Sequence, residues 1–242
     1  MKIHFKTLVI VMTCMAMALC VSCKKDDNNE PTGGGTGVTV DGGGTIAGHG
    51  YVDLGLPSGT LWATCNVGAD KPEDYGGYFA WGETKKKTEY SWNPYKWCNG
   101  SYNTLTKYCT HSDCGTVDNK TVLDPEDDAA RANWGGGWRM PTCVELQELK
   151  DNCTWEWTTQ GGRKGYRVTG SNDESIFLPA AGYRFGMNLN GVDSNGFYWS
   201  SFLYSSNSNH AYSMYFHSGS VTPQGVYPRF RGYTVRPVCS PQ

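Results

Sequence analysis

Long apolar runs are nearly absent from this chain of 242 residues, and the one that exists, at 8–21, spans 14 positions. A helix that crosses a bilayer needs about 20 such residues, so this run is too short to be a span. Charge is sparse as well: 21 Lys and Arg against 23 Asp and Glu leave a net charge of −2, with the cations scattered along the chain. Tracking a phosphate backbone requires a basic stripe, and its absence argues against nucleic acid as a partner. The strained Gly-x-Ser-x-Gly turn that presents a nucleophilic serine does not occur, and His49, His111, His210 and His217 have no companions that mark a triad. Aliphatic content is modest beside 31 Gly, 9 Trp and 15 Tyr. That balance predicts many turns, few long helices and a core built largely from rings.

The amino terminus carries the first positive signal. Lys2 and Lys6 precede the apolar run, small Ser22 stands before Cys23, and Lys24-Lys25-Asp26-Asp27 follows at once. This is the layout of a lipoprotein signal, with residues 1–22 removed and Cys23 lipidated. The acidic residues after Cys23 resemble the surface-export tag of Bacteroides-type lipoproteins. That resemblance implies an outer-membrane, surface-exposed protein tied to the membrane through its lipid alone. Residues 23–50 are rich in Gly, Thr and Asn with hardly any large apolar side chain. Such a segment cannot offset its ordering entropy, so it reads as a flexible tether holding the rest on the order of 25 Å from the membrane. Residues 51–242 then form a single domain.

Ten cysteines divide by position. Cys14 and Cys20 leave with the signal, Cys23 takes lipid, and Cys65, Cys98, Cys109, Cys114, Cys143, Cys153 and Cys239 remain. Export to an oxidising compartment makes disulfides the leading expectation, with at least one thiol left over. The stretch Cys109-Thr110-His111-Ser112-Asp113-Cys114 offers metal-ligand types but no second pair at a zinc spacing, so no metal is expected. The acidic group Asp124, Glu126, Asp127 and Asp128 is explained by helix capping more simply than by calcium.

Short extended pieces account for most of the domain. Residues 51–63 read as two short strands around the Pro57-Ser58-Gly59 turn. Residues 154–169 read as a hairpin bending at 160–163, with Trp155, Trp157 and Thr159 on one face and Tyr166 and Val168 returning. Further strands are expected at 175–179, 198–202, 211–216 and 232–238. One helix is expected over about 125–133, capped by Asp124 with Pro125 at its first position. A second begins in the capping box Thr142-Cys143-Val144-Glu145 and runs to Asp151 with Leu146 and Leu149 inward.

Several spaced strings now carry a family resemblance. Gly137-Trp138-Arg139-Met140-Pro141-Thr142 through Leu146 resembles the GWRLPTxxEW element of the Fibrobacter succinogenes major paralogous domain family. Leu61-Trp62-Ala63-Thr64-Cys65-Asn66, Tyr78-Phe79-Ala80-Trp81-Gly82-Glu83, Leu178-Pro179-Ala180-Ala181-Gly182-Tyr183-Arg184, Tyr198-Trp199-Ser200-Ser201 and Val235-Arg236-Pro237-Val238-Cys239 match further elements in order. The resemblance covers about residues 51–239. It implies an α+β, C-type lectin-like fold related to formylglycine-generating enzyme: twisted antiparallel strands, two short helices and long loops. It implies no activity, and fold alone warrants none. Formylglycine-generating enzymes hold copper with a cysteine pair near their C-terminal motif, which has no counterpart between Tyr198 and Arg236. Calcium-dependent lectins use Glu-Pro-Asn or Gln-Pro-Asp followed by Trp-Asn-Asp, and neither string is present.

The resulting expectation is a noncatalytic recognition domain without a cofactor, binding a glycan or a surface protein; the alternative is a structural subunit of a surface fibre or envelope complex. A glycosidase would need two carboxylates across a cleft, and Glu83, Asp113, Glu145, Glu148, Glu156 and Asp173 are no more than any domain of this size offers. Trp92, Tyr95, Trp97 and Tyr102 lie in a polar insertion where no core periodicity demands rings. Rings on loops stack on sugars or anchor partners. Tyr204, Asn207, His210 and Tyr212, with Asn209, form a second candidate set in a Ser- and Asn-rich stretch. Trp62, Trp81, Trp134, Trp138 and Trp199 are assigned to packing, and Arg139, Arg184 and Arg236 to structural hydrogen bonds or buried pairs.

Overall fold

The computed structural model describes residues 42–241. The expected signal peptide (1–22), the lipidation site Cys23 and the tether up to residue 41 lie outside the described residues. In chain order the elements begin with β1 (Gly43–Ile46), β2 (His49–Asp53) and β3 (Leu61–Ala63). The loop of residues 64–124 follows, then a 3-10 turn (Pro125–Asp127), α1 (Ala129–Trp134) and α2 (Cys143–Asn152). The second half is β4 (Thr154–Gln160), β5 (Arg163–Thr169), β6 (Ser175–Pro179), β7 (Tyr183–Phe185), β8 (Asn188–Asn190), β9 (Asn195–Leu203), β10 (His210–His217), β11 (Ser220–Pro228) and β12 (Val238–Cys239). These strands form four small antiparallel sheets, ordered β1-β2-β3-β12, β4-β5-β6, β7-β8 and β11-β10-β9. The class is α+β, mostly antiparallel. No helix among the described residues is long and apolar enough to cross a membrane.

Local chemistry explains the elements that form. In the β4–β5 hairpin Trp155 faces Val168 and Trp157 faces Tyr166 across the pair, so one alternating face enters the core. Helix α2 starts in the full capping box: Thr142 Oγ1 accepts from Glu145 N at 3.1 Å while Glu145 Oε2 accepts from Thr142 N at 2.8 Å. Leu146 and Leu149 then pack beneath β5, β6 and β10.

Three expectations change. The tether does not extend to residue 50: residues 43–46 pair with β2, and Ile46 is buried under Trp138, whose indole N–H donates to the Ile46 carbonyl at 2.9 Å. His49 is likewise a strand residue, stacked on Trp134 at 3.8 Å. The helix expected at 125–133 is broken. Pro125 opens only a 3-10 turn, the chain extends again at Asp128, and Asp128 caps α1 by accepting from Ala130 N and Arg131 N. Asp124 cannot serve as that cap because its carboxylate is held by Lys107 and Lys120. The closing strand is reduced to Val238–Cys239, with residues 232–234 joined by single bridges.

The cysteines bring a further correction. Cys65, Cys98, Cys109, Cys114, Cys143 and Cys153 are free thiols. Cys98 and Cys109 direct their sulfurs at the carbonyls of Trp92 and His111, both at 3.1 Å, and sit with Cys114 in an apolar cluster. They fill the core as small apolar residues. Burial and the nearby Glu148 push the Cys153 thiol up to about 11.

Indole rings do double work in a chain so poor in regular structure. Trp81 and Trp199 are fully buried and donate to the carbonyls of Ser200 and Phe79, each at 2.8 Å. Each ring fills core volume and also donates to a backbone carbonyl, on β9 for Trp81 and on the loop after β3 for Trp199.

Candidate functional site

The long loop at residues 84–118 meets the short β9–β10 connection (204–209), and a buried arginine holds this loop end together. Arg229 is fully buried and donates to Tyr95 Oη (2.6 Å), the carbonyls of Tyr108 (2.9 Å) and Ser208 (3.0 Å), and the Lys107 carbonyl (2.9 Å). Its guanidinium also lies over the Trp81, Tyr95 and Tyr108 rings. Among the described residues no carboxylate pairs with it; carbonyls and ring faces offset the desolvation of the cation. Sequence reasoning passed over this residue. Its only local signal is the aromatic string Tyr227-Pro228-Arg229-Phe230-Arg231, and its partners are distant in sequence.

Of the first candidate set, Tyr95 is no surface residue. It is 2% exposed, accepts from Arg229 and donates to the Trp81 carbonyl at 2.7 Å. Trp97 is half-buried, with its N–H on the Gly82 carbonyl at 2.7 Å and its face under Lys96 (4.0 Å) and Lys107 (4.8 Å). Trp92 is half-buried between Tyr95 and Phe230. Tyr102 alone projects freely, at 57% exposure.

In the second set, Tyr204 and Tyr212 meet edge to face at 5.5 Å and remain part-exposed, with Asn207 exposed beside them. The turn is stiff: Asn207 N donates to the Tyr204 carbonyl and His210 N to the Asn207 carbonyl, both at 3.0 Å. The Ser208 hydroxyl, buried, accepts from Thr110 N at 2.9 Å and ties this turn to the other loop. His210 turns inward. Its Nδ1 is buried without a hydrogen-bond partner, and burial, then the nearby Arg231, pushes the imidazole below its ordinary value. The two sets thus share a scaffold without lining one cleft.

The charged groups are engaged one at a time. Asp127, 1% exposed, takes hydrogen bonds from Lys107 Nζ (2.6 Å), Tyr108 Oη (2.7 Å) and Lys96 Nζ (3.1 Å). Burial opposes its charge, yet these donors hold its carboxyl below the ordinary value. Glu83 pairs with Lys87, Glu145 with Arg139, and Glu148 accepts from the Ser58 backbone and hydroxyl. Among the described residues no group of three or more His, Cys, Asp and Glu side chains is placed to hold a metal.

The three motif arginines separate. Arg236, 1% exposed, donates to Asn66 Oδ1, the carbonyls of Ala63 and Thr64, and that of Phe177. Arg139 forms an ion pair with Glu145. Arg184 is different. It is half-exposed, lies against the Tyr78 ring at 5.3 Å, and its guanidinium hydrogen-bonds to none of the described residues.

Residues 163–238 match the model of a family described as Domain of unknown function (DUF8237), less than a third of the chain, spanning β5 to the first residue of β12. No curated protein and no solved structure matches.

Proposed function

We propose that this chain is a lipid-anchored, noncatalytic recognition module displayed on the outer membrane, with a C-type lectin-like fold akin to the major paralogous domain family. Its ligand in this reading is a glycan or a surface protein. The observation that carries it is the loop end just described, where Tyr102 stands on one loop and Tyr204 on the other, Tyr204 packed edge to face on Tyr212 of β10, and Arg229 hydrogen bonds tie the two loops together. Rings held rigid before binding lose little entropy on contact. The family resemblance supports the fold assignment, since the Trp residues of its strings, with Arg236, supply the interior: Trp62, Trp81, Trp138, Trp199 and Arg236 are all buried. The signal-like amino terminus supports the anchor.

Two experiments test this reading. Replacing Cys23 by Ala moves the protein from the membrane fraction to the soluble one; continued firm membrane association contradicts the anchor. Tyr102→Ala and Tyr204→Ala each weaken ligand binding by more than about 1 kcal/mol, roughly fivefold, at an unchanged melting temperature. Equal affinity in both variants removes the loop end from recognition.

A second reading, the structural subunit, has an observation of its own. Phe185, Met187 and Leu189 are exposed on the single β7–β8 hairpin. A concentration-dependent oligomer abolished by Met187→Lys favours it, and a monomer at high concentration counts against it.

A further inference from the structure

Arg184 is the one of the three motif arginines whose guanidinium makes no hydrogen bond or ion pair with the described residues, and it lines a cleft. The cleft, about 470 Å³, is enclosed by Gly76, Tyr78, Lys86, Lys87, Thr88, Tyr90, Arg184 and Met187. That volume falls within the roughly 300–1,000 Å³ of small-molecule sites. One wall is the Lys-rich loop 85–88 and the other is the β7–β8 hairpin, and Tyr90 and Gly186 pair by backbone hydrogen bonds of 2.8 and 2.9 Å at the seam.

Three of the eight lining residues are cationic and none is acidic. Lys87 is balanced from below by the buried Glu83, 2.8 Å away, and also reaches the Pro94 carbonyl. Among the described residues, Lys86 is exposed with no ion pair and Arg184 has none either. The nearest sequence carboxylate, Glu89, is exposed and turned to the Ser91 hydroxyl. The phenols beneath are already committed: Tyr78 Oη donates to the Ala181 carbonyl at 2.5 Å and Tyr90 Oη to the Tyr78 carbonyl at 2.6 Å. Donors, not acceptors, therefore face the opening. A guanidinium stacked on a ring, with its N–H fork unspent, suits a carboxylate or sulfate group. The whole chain is net negative, so this field is local to the cleft.

The geometry points to a binding site for an acidic glycan, whose carboxylate or sulfate ester is gripped by Arg184 with Lys86 at the mouth, while the exposed Met187 meets the sugar ring. The inference rests on the recognition reading and narrows its ligand class. It places the charge-reading contact at Arg184, away from the tyrosines of the loop end.

The test is calorimetric titration of the full-length protein, extracted in nonionic detergent, with three tetrasaccharides: chondroitin sulfate, hyaluronate and neutral maltotetraose. At least one charged sugar binds tenfold or more tightly than the neutral one, and weakens as salt rises. Chondroitin sulfate alone identifies a sulfate reader; equal binding of the two acidic sugars identifies a carboxylate reader. Arg184→Ala lowers that affinity at least tenfold, Arg184→Lys only partly restores it, and Lys86→Ala lowers it about threefold. The Arg184 backbone pairs with Gly232 at 2.8 and 3.1 Å independently of its side chain, so the variants keep the hairpin, and an unchanged melting temperature verifies this. Charged-sugar affinity indifferent to both Arg184→Ala and Lys86→Ala overturns the site. Binding of maltotetraose as tight as that of the acidic sugars also overturns it, and leaves glycan recognition standing. Binding of none of the three contradicts the site; a blank glycan array in addition removes the glycan reading itself.

Discussion

Arg236→Met lowers the unfolding free energy by about 4 kcal/mol or more, measured by urea denaturation. The side chain is buried to 1% exposure and its five N–H groups serve four acceptors: Asn66 Oδ1, the Ala63, Thr64 and Phe177 carbonyls. Methionine matches the stem in length but donates nothing. Each buried acceptor left unmet costs about 1–3 kcal/mol, partly relieved where water enters. The acceptors lie on β3, the loop after it and β6, so the loss spreads over two sheets. Arg236→Lys recovers only part, because an ammonium cannot fan across the same acceptors. A change under about 1 kcal/mol would show that the carbonyls find other donors, and that Arg236 is no keystone.

Trp199→Ala is expected to cost about 3–5 kcal/mol, the range for removing a buried large ring. Trp199 is fully buried, stacks on Tyr233 at 4.2 Å, and donates to the Phe79 carbonyl at 2.8 Å. Truncation opens a cavity and removes one of the two donors to that carbonyl, which also accepts from Tyr233 N at 3.0 Å. Trp199→Phe keeps most of the volume and isolates the hydrogen bond, with an expected cost of about 0.5–1.5 kcal/mol beyond its cavity. If the Ala and Phe variants unfold at the same urea concentration, packing is not what Trp199 supplies. Both predictions follow from the same condition: strands are short, loops lie against the sheets, and buried side chains donate to backbone carbonyls of both.

Where the chain repeats a short-range pattern, its sequence is informative. Trp155, Trp157, Tyr166 and Val168 alternate and occupy one face of the β4–β5 hairpin, and the Thr142–Glu145 box opens α2 at the expected residue. β1 escapes such reading because two of its four residues are Gly. Gly44 lies so close to the Tyr51 ring that a Cβ would stand 2.7 Å from its hydroxyl, so the strand is specified by its neighbour's ring. The start of α1 was obscured for a similar reason. Asp124 has the sequence context of a cap, but Lys107, seventeen residues earlier, takes it at 2.6 Å.

The candidate site was legible only as a composition of loops. Rings in a polar insertion look like surface contacts until a distant partner is known, and Tyr95 is buried because Arg229 sits on its hydroxyl from 134 residues away. Tyr102, Tyr204 and Tyr212 kept accessible faces. Arg184 ran the other way: an arginine expected to be structural stands in a cleft with its donors unspent.

The most direct test of the central proposal is a glycan array carrying neutral and acidic sugars, probed with the full-length protein in nonionic detergent. The account predicts reproducible, saturable binding to a defined subset, reduced by Tyr102→Ala, Tyr204→Ala or Arg184→Ala at unchanged thermal stability. A blank array from a folded protein that instead associates with itself as concentration rises would contradict it and establish the structural-subunit reading.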